Sequence, residues 1–290
     1  YGHNPQGSQR IQCRNCKKVW TPKKYQKEIT HPQAIETVQL FIPFQGASAV
    51  QKLYVLVSLD ATRGNILHLS TNYTQHQTGD SLRYSYKGNT EPTMHHRDIV
   101  QKVDMREAQF LRRSQFDEIQ YGSAVLKRNG KGAILRPVIT AHGHFRILKI
   151  RYPDVKTHII SHECFLRGAI ITAWADQFRQ QQGELWFVEE EISDSNADTP
   201  WHFKGTTYHG WWQNQWQRWE QGNNCKMVCL LTGASLERGA NVSLATSRCF
   251  ITWLTDQHDF TQSALLSAGR VTQMLTSLAL KYNESLTPSC

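Results

Sequence analysis

The sequence lacks long hydrophobic runs and has comparatively few acidic residues. No stretch approaches the roughly 18 consecutive apolar residues that a membrane-spanning helix needs, so we expect no membrane partner. Asp and Glu number 24 against 33 Lys and Arg, which gives a formal net charge of +9. An excess of positive charge is typical of proteins whose partner is a polyanion such as nucleic acid.

Cysteine is also sparse. The chain of 290 residues contains seven cysteines, an odd number, and they are scattered along it. This distribution argues against a disulfide framework and indicates a reducing, cytoplasmic compartment. The hydrophobic content of 39% is sufficient for the core of one large domain or two ordinary ones.

A C-x-x-C pair near the start of the chain is formed by Cys13 and Cys16. Two thiolates at this spacing on a tight turn can bind one Zn²⁺, which needs two further ligands from elsewhere. Basic side chains that suit phosphate contact surround the pair: Arg10, Arg14, Lys17, Lys18, Lys23 and Lys24.

This stretch resembles the second half of the N-terminal zinc ribbon of insertion-sequence transposases of the InsA/InsB type. The matching positions, in order, are Gly2, His3, Gly7, Gln9, Arg10, Cys13, Cys16 and Trp20. The first cysteine pair of the ribbon is absent, and we expect the numbered chain to begin inside it. The resemblance implies double-stranded DNA as the partner and a structural zinc ion in the intact protein.

Several apolar runs after the ribbon predict strands: residues 38–44, 53–59, 65–70, 116–121, 133–140 and 145–150. The apolar runs are too continuous for a sheet with one solvent-exposed face, so we expect a sheet covered on both sides. Asp60 falls in the turn after the second run, where we predict a structural role. The hairpin predicted over residues 133–150 resembles that over 53–69 and suggests an internal duplication.

Later segments predict helices over residues 98–113, 169–182, 236–254 and 262–282, and strands over 157–161 and 185–192. A tryptophan-rich segment, residues 201–219, lies between them. Its Trp212, Trp216 and Trp219 fall at helical spacing, which favours a packing role over base stacking.

The resemblance implies an α/β fold with an RNase H-like mixed sheet and helices, preceded by a partial zinc ribbon. We assign residues 1–30 to the partial ribbon and residues 31–115 to a β-rich segment with an exposed loop and a helix. Residues 116–290 then form an RNase H-like, transposase-type domain.

Transposases with this fold use three carboxylates to bind two Mg²⁺ ions, one activating the attacking oxygen and one stabilising the leaving oxygen. The resemblance places the third carboxylate at Glu237. The first position is ambiguous: it is Asp117, or in another register it falls on the strand at 38–44, which carries no carboxylate. At the second position His162 replaces an aspartate, and Glu163 follows it. Imidazole is a poor ligand for hard cations, and neighbouring strand residues face opposite sides. We therefore expect Mg²⁺ only if the protein is catalytically active.

The prediction is a transposase-derived, cytoplasmic DNA-binding protein without transposition activity, acting as a regulator or accessory factor. It would work as a homo-oligomer or in a larger complex. Two alternatives stay open. One is an active metal-dependent strand-transferase or nuclease that uses Asp117, Glu163 and Glu237, and the other is an interaction scaffold that binds through the tryptophan-rich segment.

Overall fold

The computed structural model describes residues 11–12, 17, 19–20, 31–46, 50–74, 98–108, 133–135, 137–194, 199–233 and 239–286. The chain divides into two compact units, Tyr1–His31 and Pro32–Cys290. In the first unit, strand β1 (Ile11–Gln12) pairs antiparallel with strand β2 (Val19–Trp20).

The second unit is built on a mixed sheet of eight strands. The ten strands described in this unit, in chain order, are β3 (Ala34–Gln45), β4 (Val50–Asp60), β5 (Ile66–Thr71), β6 (Tyr73–Thr74), β7 (Ala133–Ile134), β8 (Thr157–Ser161), β9 (Glu184–Glu191), β10 (His202–His209), β11 (Asn214–Gln221) and β12 (Asn224–Thr232). Strands β6 and β7 pair with each other, and the others lie in the order β10-β11-β12-β9-β8-β3-β4-β5. The sheet thus draws strands from both the predicted 31–115 segment and the predicted 116–290 domain.

The centre of the sheet is parallel. Strand β3 runs parallel to β8, with Thr37 opposite Ile160, and β8 runs parallel to β9, with Ile160 opposite Phe187. The other neighbouring pairs are antiparallel. Because β3, β8 and β9 point the same way, the ends of β8 and β9 meet at one edge of the sheet, which we call the carboxyl edge.

Strand β4 illustrates why the central strands form. Its run of apolar residues is buried on both faces, with Tyr54 and Leu56 in one core and Leu53 and Val55 in the other. A strand with both faces covered needs continuous apolar sequence. The strands predicted at 38–44, 53–59 and 65–70 are therefore confirmed, as is the covered sheet.

Helices cover both faces of the sheet. They are α1 (residues 99–108), α2 (Pro137–Arg151), α3 (Cys164–Ala173), α4 (Ala175–Arg179), α5 (Ala245–Thr255), α6 (His258–Thr261) and α7 (Ala268–Leu286), with 3₁₀ turns at Gly239–Asn241 and Ser263–Leu265. Helices α1 to α4 pack on one face and contribute Val103, Phe145 and Trp174 to its core. Helices α5 to α7 pack on the other, through residues such as Phe250 and Leu275. The predicted α/β class with a mixed sheet is confirmed.

Helix α2 corrects the hairpin predicted over residues 133–150. Its buried face carries Phe145 and Leu148, and its exposed face carries Ile139 and Ile150. A helix that is apolar on both faces hides the 3.6-residue period, and its β-branched residues imitate strands. The proposed duplication of the 53–69 hairpin is therefore wrong. Helices α5 and α7 also begin later than predicted, at Ala245 and Ala268.

Two local contacts fix the β4–β5 region. Asp60 Oδ1 accepts hydrogen bonds from the backbone N–H groups of Thr62 and Arg63 at 2.9 and 3.2 Å, as its predicted structural role requires. The backbone N–H of Ile66 donates to Asn283 Oδ1 at 2.7 Å, and Asn283 Nδ2 donates to the carbonyl of Ile66 at 2.9 Å. These two hydrogen bonds connect helix α7 to strand β5.

Among the described helices, none has the length and hydropathy needed to cross a bilayer.

Candidate functional site at the carboxyl edge

His162 stands at the carboxyl edge because strand β8 ends one residue earlier, at Ser161. Its ring is fully buried, with centroid distances of 4.8 Å to Phe187 and 4.5 Å to Trp216. Burial lowers the pKa of His162, although nearby carboxylates oppose the shift. The imidazole is therefore neutral at pH 7.

Glu107 of helix α1 is the polar partner of His162. Its Oε1 lies 3.2 Å from His162 Nε2, and Asn214 Nδ2 donates to both carboxylate oxygens at 3.0 and 3.2 Å. Because an ionised carboxylate only accepts, His162 donates from Nε2. Burial by itself would raise the pKa of Glu107, but the bonds from His162 and Asn214 lower it below its ordinary value.

Gly210, in the turn between β10 and β11, lets this turn approach α1 closely. Its φ is 76°, a left-handed conformation that favours glycine. A Cβ at this position would collide with the Glu107 carboxylate. The turn and helix α1 together hold Glu107 against His162.

Glu163 caps the start of helix α3. Its Oε1 accepts a hydrogen bond from the backbone N–H of Phe165 at 3.5 Å, and its Oε2 accepts one from Gln39 Nε2 of strand β3 at 3.4 Å. Only 5% of the residue is exposed. The side chain thus points into the protein, toward the donors at a helix N-terminus.

Glu36 is a buried carboxylate that the sequence analysis missed, because strand β3 begins at Ala34 and not near residue 38. Its Oε2 accepts from the N–H and the hydroxyl of Ser247, both at 2.9 Å, and its Oε1 accepts from the N–H of Thr246 at 3.4 Å. Burial raises the pKa of Glu36 even though these hydrogen bonds oppose the rise. The residue caps helix α5.

Glu190 and Arg248 form an ion pair beside this cap. The guanidinium of Arg248 binds Glu190 Oε2, and Glu190 Oε1 accepts from the backbone N–H of Leu244 at 3.1 Å. Burial lowers the pKa of Arg248, and the charge of Glu36 opposes that shift. The guanidinium therefore pairs with the Glu190 carboxylate of β9.

The other two glutamates at the end of β9 pair with helix α1. Arg106 Nε lies 3.2 Å from Glu189 Oε2, and Lys102 binds Glu191. These six glutamates are therefore each held by a donor or cation of the same chain: Glu36, Glu107, Glu163, Glu189, Glu190 and Glu191.

Most of the other predicted site residues lie outside the described part of the chain: Arg10, Cys13, Arg14, Cys16, Lys18, Lys23, Lys24, Asp117 and Glu237. His162 and Glu163 both lie at the carboxyl edge, and each has its own partners. Lys17 is described, is exposed and has a φ of 58°.

The tryptophan-rich segment is not helical, which corrects the stripe predicted for Trp212, Trp216 and Trp219. Residues 214–221 form strand β11, so Trp216 packs in one core and Trp219 against the other. Trp211 is 75% exposed and Trp212 is 49% exposed in the turn before the strand. Packing accounts for Trp216, while the turn presents its two tryptophans to solvent.

A cleft of about 540 Å³ lies beside this turn. Its lining residues are Asp104, Glu107, Ala108, Gly210, Trp211 and Gln213. Asp104 Oδ1 lies 2.5 Å from His209 Nδ1, and Glu107 is held by His162 and Asn214. Both carboxylates in the cleft are therefore already paired within the chain.

Lys226, on strand β12, is a buried cation. Its ammonium donates to the carbonyls of Ala240 and Val242 at 2.5 and 2.8 Å and lies 4.5 Å from the Trp201 ring centroid. Burial lowers its pKa to about 8. The side chain fastens the 3₁₀ turn that leads into helix α5.

A buried polar chain links the sheet to α2. The Thr37 and Ser58 hydroxyls are 2.6 Å apart, and His144 lies 2.8 Å from Ser58 and 2.7 Å from Ser70. Ser58 and His144 are at most 1% exposed, so this serine–histidine contact is enclosed in the core. We assign it a structural role.

Within the described residues, no group of three or more His, Cys, Asp or Glu side chains is arranged to bind a metal ion. No protein-family model matches the chain, and no curated protein matches it.

Proposed function

We propose that the chain is a transposase-derived DNA-binding protein that has lost strand-transfer chemistry and acts as a regulator or accessory factor. The order and direction of five strands support an RNase H-like core. Strands β3, β4 and β5 form an antiparallel meander, and β8 and β9 follow parallel to β3, in the spatial order β5-β4-β3-β8-β9. The second catalytic carboxylate implied by the resemblance would follow the fourth of these strands, and His162 stands there.

The observation that carries the proposal is the internal charge balance at the carboxyl edge. Two divalent cations about 4 Å apart repel each other strongly, and carboxylate oxygens must offset that repulsion. Here the Arg248 guanidinium pairs with Glu190, and His162 is neutral and bonded to Glu107. A divalent ion at β9 and α5 would have to displace the guanidinium.

Affinity for DNA is proposed from charge and from the N-terminal resemblance. The net charge of +9 favours a polyanion, and the basic residues near Cys13 and Cys16 would contact phosphates. With two ligands from an intact ribbon, the two cysteines would hold one structural zinc ion.

The DNA proposal is tested by electrophoretic shift of a duplex at about 50 and 200 mM salt, where affinity should fall steeply because phosphate contacts release counterions. Replacing Arg10, Arg14, Lys17 and Lys18 by Gln should weaken binding by at least about tenfold and flatten the salt dependence. The control variant removes the same charge from exposed positions in the second unit: Lys52, Arg63, Lys156 and Arg270. Absence of binding at low salt, or an equal loss in both variants, would contradict the proposal.

The loss of chemistry is tested on the same duplex, end-labelled, with Mg²⁺ or Mn²⁺. We expect neither cleavage nor joining by the natural protein. Metal-dependent activity that disappears in Glu163→Gln or Glu237→Ala would show that the chain is an active enzyme.

A further inference from the structure

The outward face of helix α2 exposes three isoleucines to solvent, among polar and basic residues. Ile139, Ile147 and Ile150 are 41%, 38% and 72% exposed. Positions 139, 143, 146 and 150 are spaced by four, three and four residues, so they lie along one line of the helix, with Ile147 beside them. The opposite face of α2 is fixed in the core by Phe145 and Leu148.

Charge on this face has one sign. The sequence of α2 contains no Asp or Glu, and the exposed Arg146 and Arg151 flank the isoleucines. A covering partner must therefore combine apolar side chains with acidic ones. A second copy of the chain would instead bring these arginines toward their equivalents.

Gly143 lies in the middle of the same line. A Cβ there would meet no atom of the described residues within 4 Å, so packing among those residues does not require a glycine. Glycine weakens a helix interior relative to alanine, and a partner helix that approaches closely would account for it.

The exposed area is small. The three isoleucines leave on the order of 300 Å² exposed, whereas a stable pair of copies buries about 800 Å² per partner. An area of this size suits one helix laid along another. Helices that lie in a membrane interface carry Trp, Phe or Leu, while the apolar side chains exposed here are all isoleucine.

We propose that the outward face of α2, formed by Ile139, Gly143, Arg146, Ile147 and Ile150, is a docking surface for an acidic amphipathic helix of a partner protein. The isoleucines contact the apolar stripe of the partner, its acidic flank pairs with Arg146 and Arg151, and its backbone crosses at Gly143. This surface does not depend on the proposed DNA binding.

The probe is a fluorescent synthetic peptide of about 18 residues, long enough for five helical turns, with a leucine stripe flanked by glutamates. A second peptide carries lysines in place of the glutamates. Fluorescence anisotropy with the full chain should give a dissociation constant on the order of 10 µM for the acidic peptide. Binding of the basic peptide should be at least about tenfold weaker, and added salt should weaken the acidic complex.

Two variants locate the surface. Ile150→Ser should lower the affinity by about tenfold, and Gly143→Leu should abolish binding by blocking the approach of the partner. Leu280, which is 60% exposed on α7 at the opposite face of the sheet, provides the control Leu280→Ser, which should bind like the natural chain. Circular dichroism checks that each variant is folded.

Several results would overturn the proposal. They are no binding of the acidic peptide, equal binding of both peptides, or binding that Gly143→Leu leaves intact. Sedimentation showing a dimer that Ile150→Ser disrupts would assign the face to a second copy. Co-sedimentation with phosphatidylserine vesicles that the same variant abolishes would assign it to a membrane.

Discussion

Lowering the pH from 7 to 5 should destabilise the second unit because several of its histidines are buried in neutral form. His158 shows the effect most clearly. It is 1% exposed, and its ring lies 4.3 Å from the Trp174 ring. Burial, aided by the charge of Lys149, lowers the pKa of His158 to about 3 from an ordinary value of 6.5.

The magnitude follows from proton linkage. At pH 5 the unfolded chain binds a proton at this imidazole and the folded chain does not, which favours unfolding by about 2 kcal/mol relative to pH 7. Burial lowers the pKa of His68 to about 4, so His68 adds a loss of similar size. Burial also lowers the pKa of His144 well below its ordinary value, which acts in the same direction. Glu36 acts in the opposite direction because its pKa is raised in the fold.

The assay is urea unfolding followed by tryptophan fluorescence at pH 7 and pH 5, on the natural chain and on His158→Phe. From pH 7 to pH 5 the free energy of unfolding of His158→Phe should fall by about 2 kcal/mol less than that of the natural chain. His142→Phe is the matched control, since His142 is a histidine exposed on α2, and its free energy of unfolding should change with pH as that of the natural chain does. Identical pH dependence in His158→Phe and the natural chain would refute the reasoning.

Three further predictions concern single residues. Gly210→Ala should lower the free energy of unfolding, measured in urea, by about 2–4 kcal/mol, because the new Cβ collides with Glu107 at a position of positive φ. The control Gly222→Ala has a φ of 57° but open space around the Cβ, and it should lower the free energy by about 1 kcal/mol. Lys226 loses its proton near pH 8 in the folded chain and near 10.5 in the unfolded chain. Between pH 8 and pH 10 the free energy of unfolding should therefore rise by about 2 kcal/mol more in Lys226→Met than in the natural chain, because the unfolded natural chain holds this proton after the folded chain has lost it. An equal dependence of the unfolding free energy on pH in both proteins would contradict this. His162→Asp should lower the free energy of unfolding by about 3 kcal/mol at pH 7, because it places a second carboxylate beside Glu107. Thermal melts should show that part of this stability returns at pH 5, where one carboxylate can be protonated, and that none returns in His162→Asn.

The central strands could be predicted from the sequence because their burial and their pattern agree. The apolar runs of β4 and β8 are short, rich in β-branched residues and bounded by turn residues, which leaves few alternatives. In α2 the two signals conflict, because isoleucines occupy its exposed face as well as its core face. Trp212, Trp216 and Trp219 matched a helical period by coincidence, and Gly210 in the preceding turn was the available signal for a hairpin.

At the carboxyl edge, the sequence could predict the positions of two residues but not their partners. His162 and Glu163 follow a recognisable strand, so their position was readable from local sequence. Their partners Glu107 and Gln39 are 55 and 124 residues away, and only the docking of α1 and the pairing of β3 with β8 bring them close. Arg248 was missed for the same reason, since a cation can be assigned to a carboxylate only after the tertiary arrangement is known.

The double hydrogen bond between Ile66 and Asn283 has a consequence for synthesis of the chain. The two residues are 217 positions apart, and the core on that face joins β3, β4 and β5 to α7. A ribosome that has made the first three strands of the sheet must add more than two hundred residues before the helix that covers them exists. During that interval one apolar face of the nascent sheet is without its cover, so newly made chains should depend on chaperones until α7 emerges.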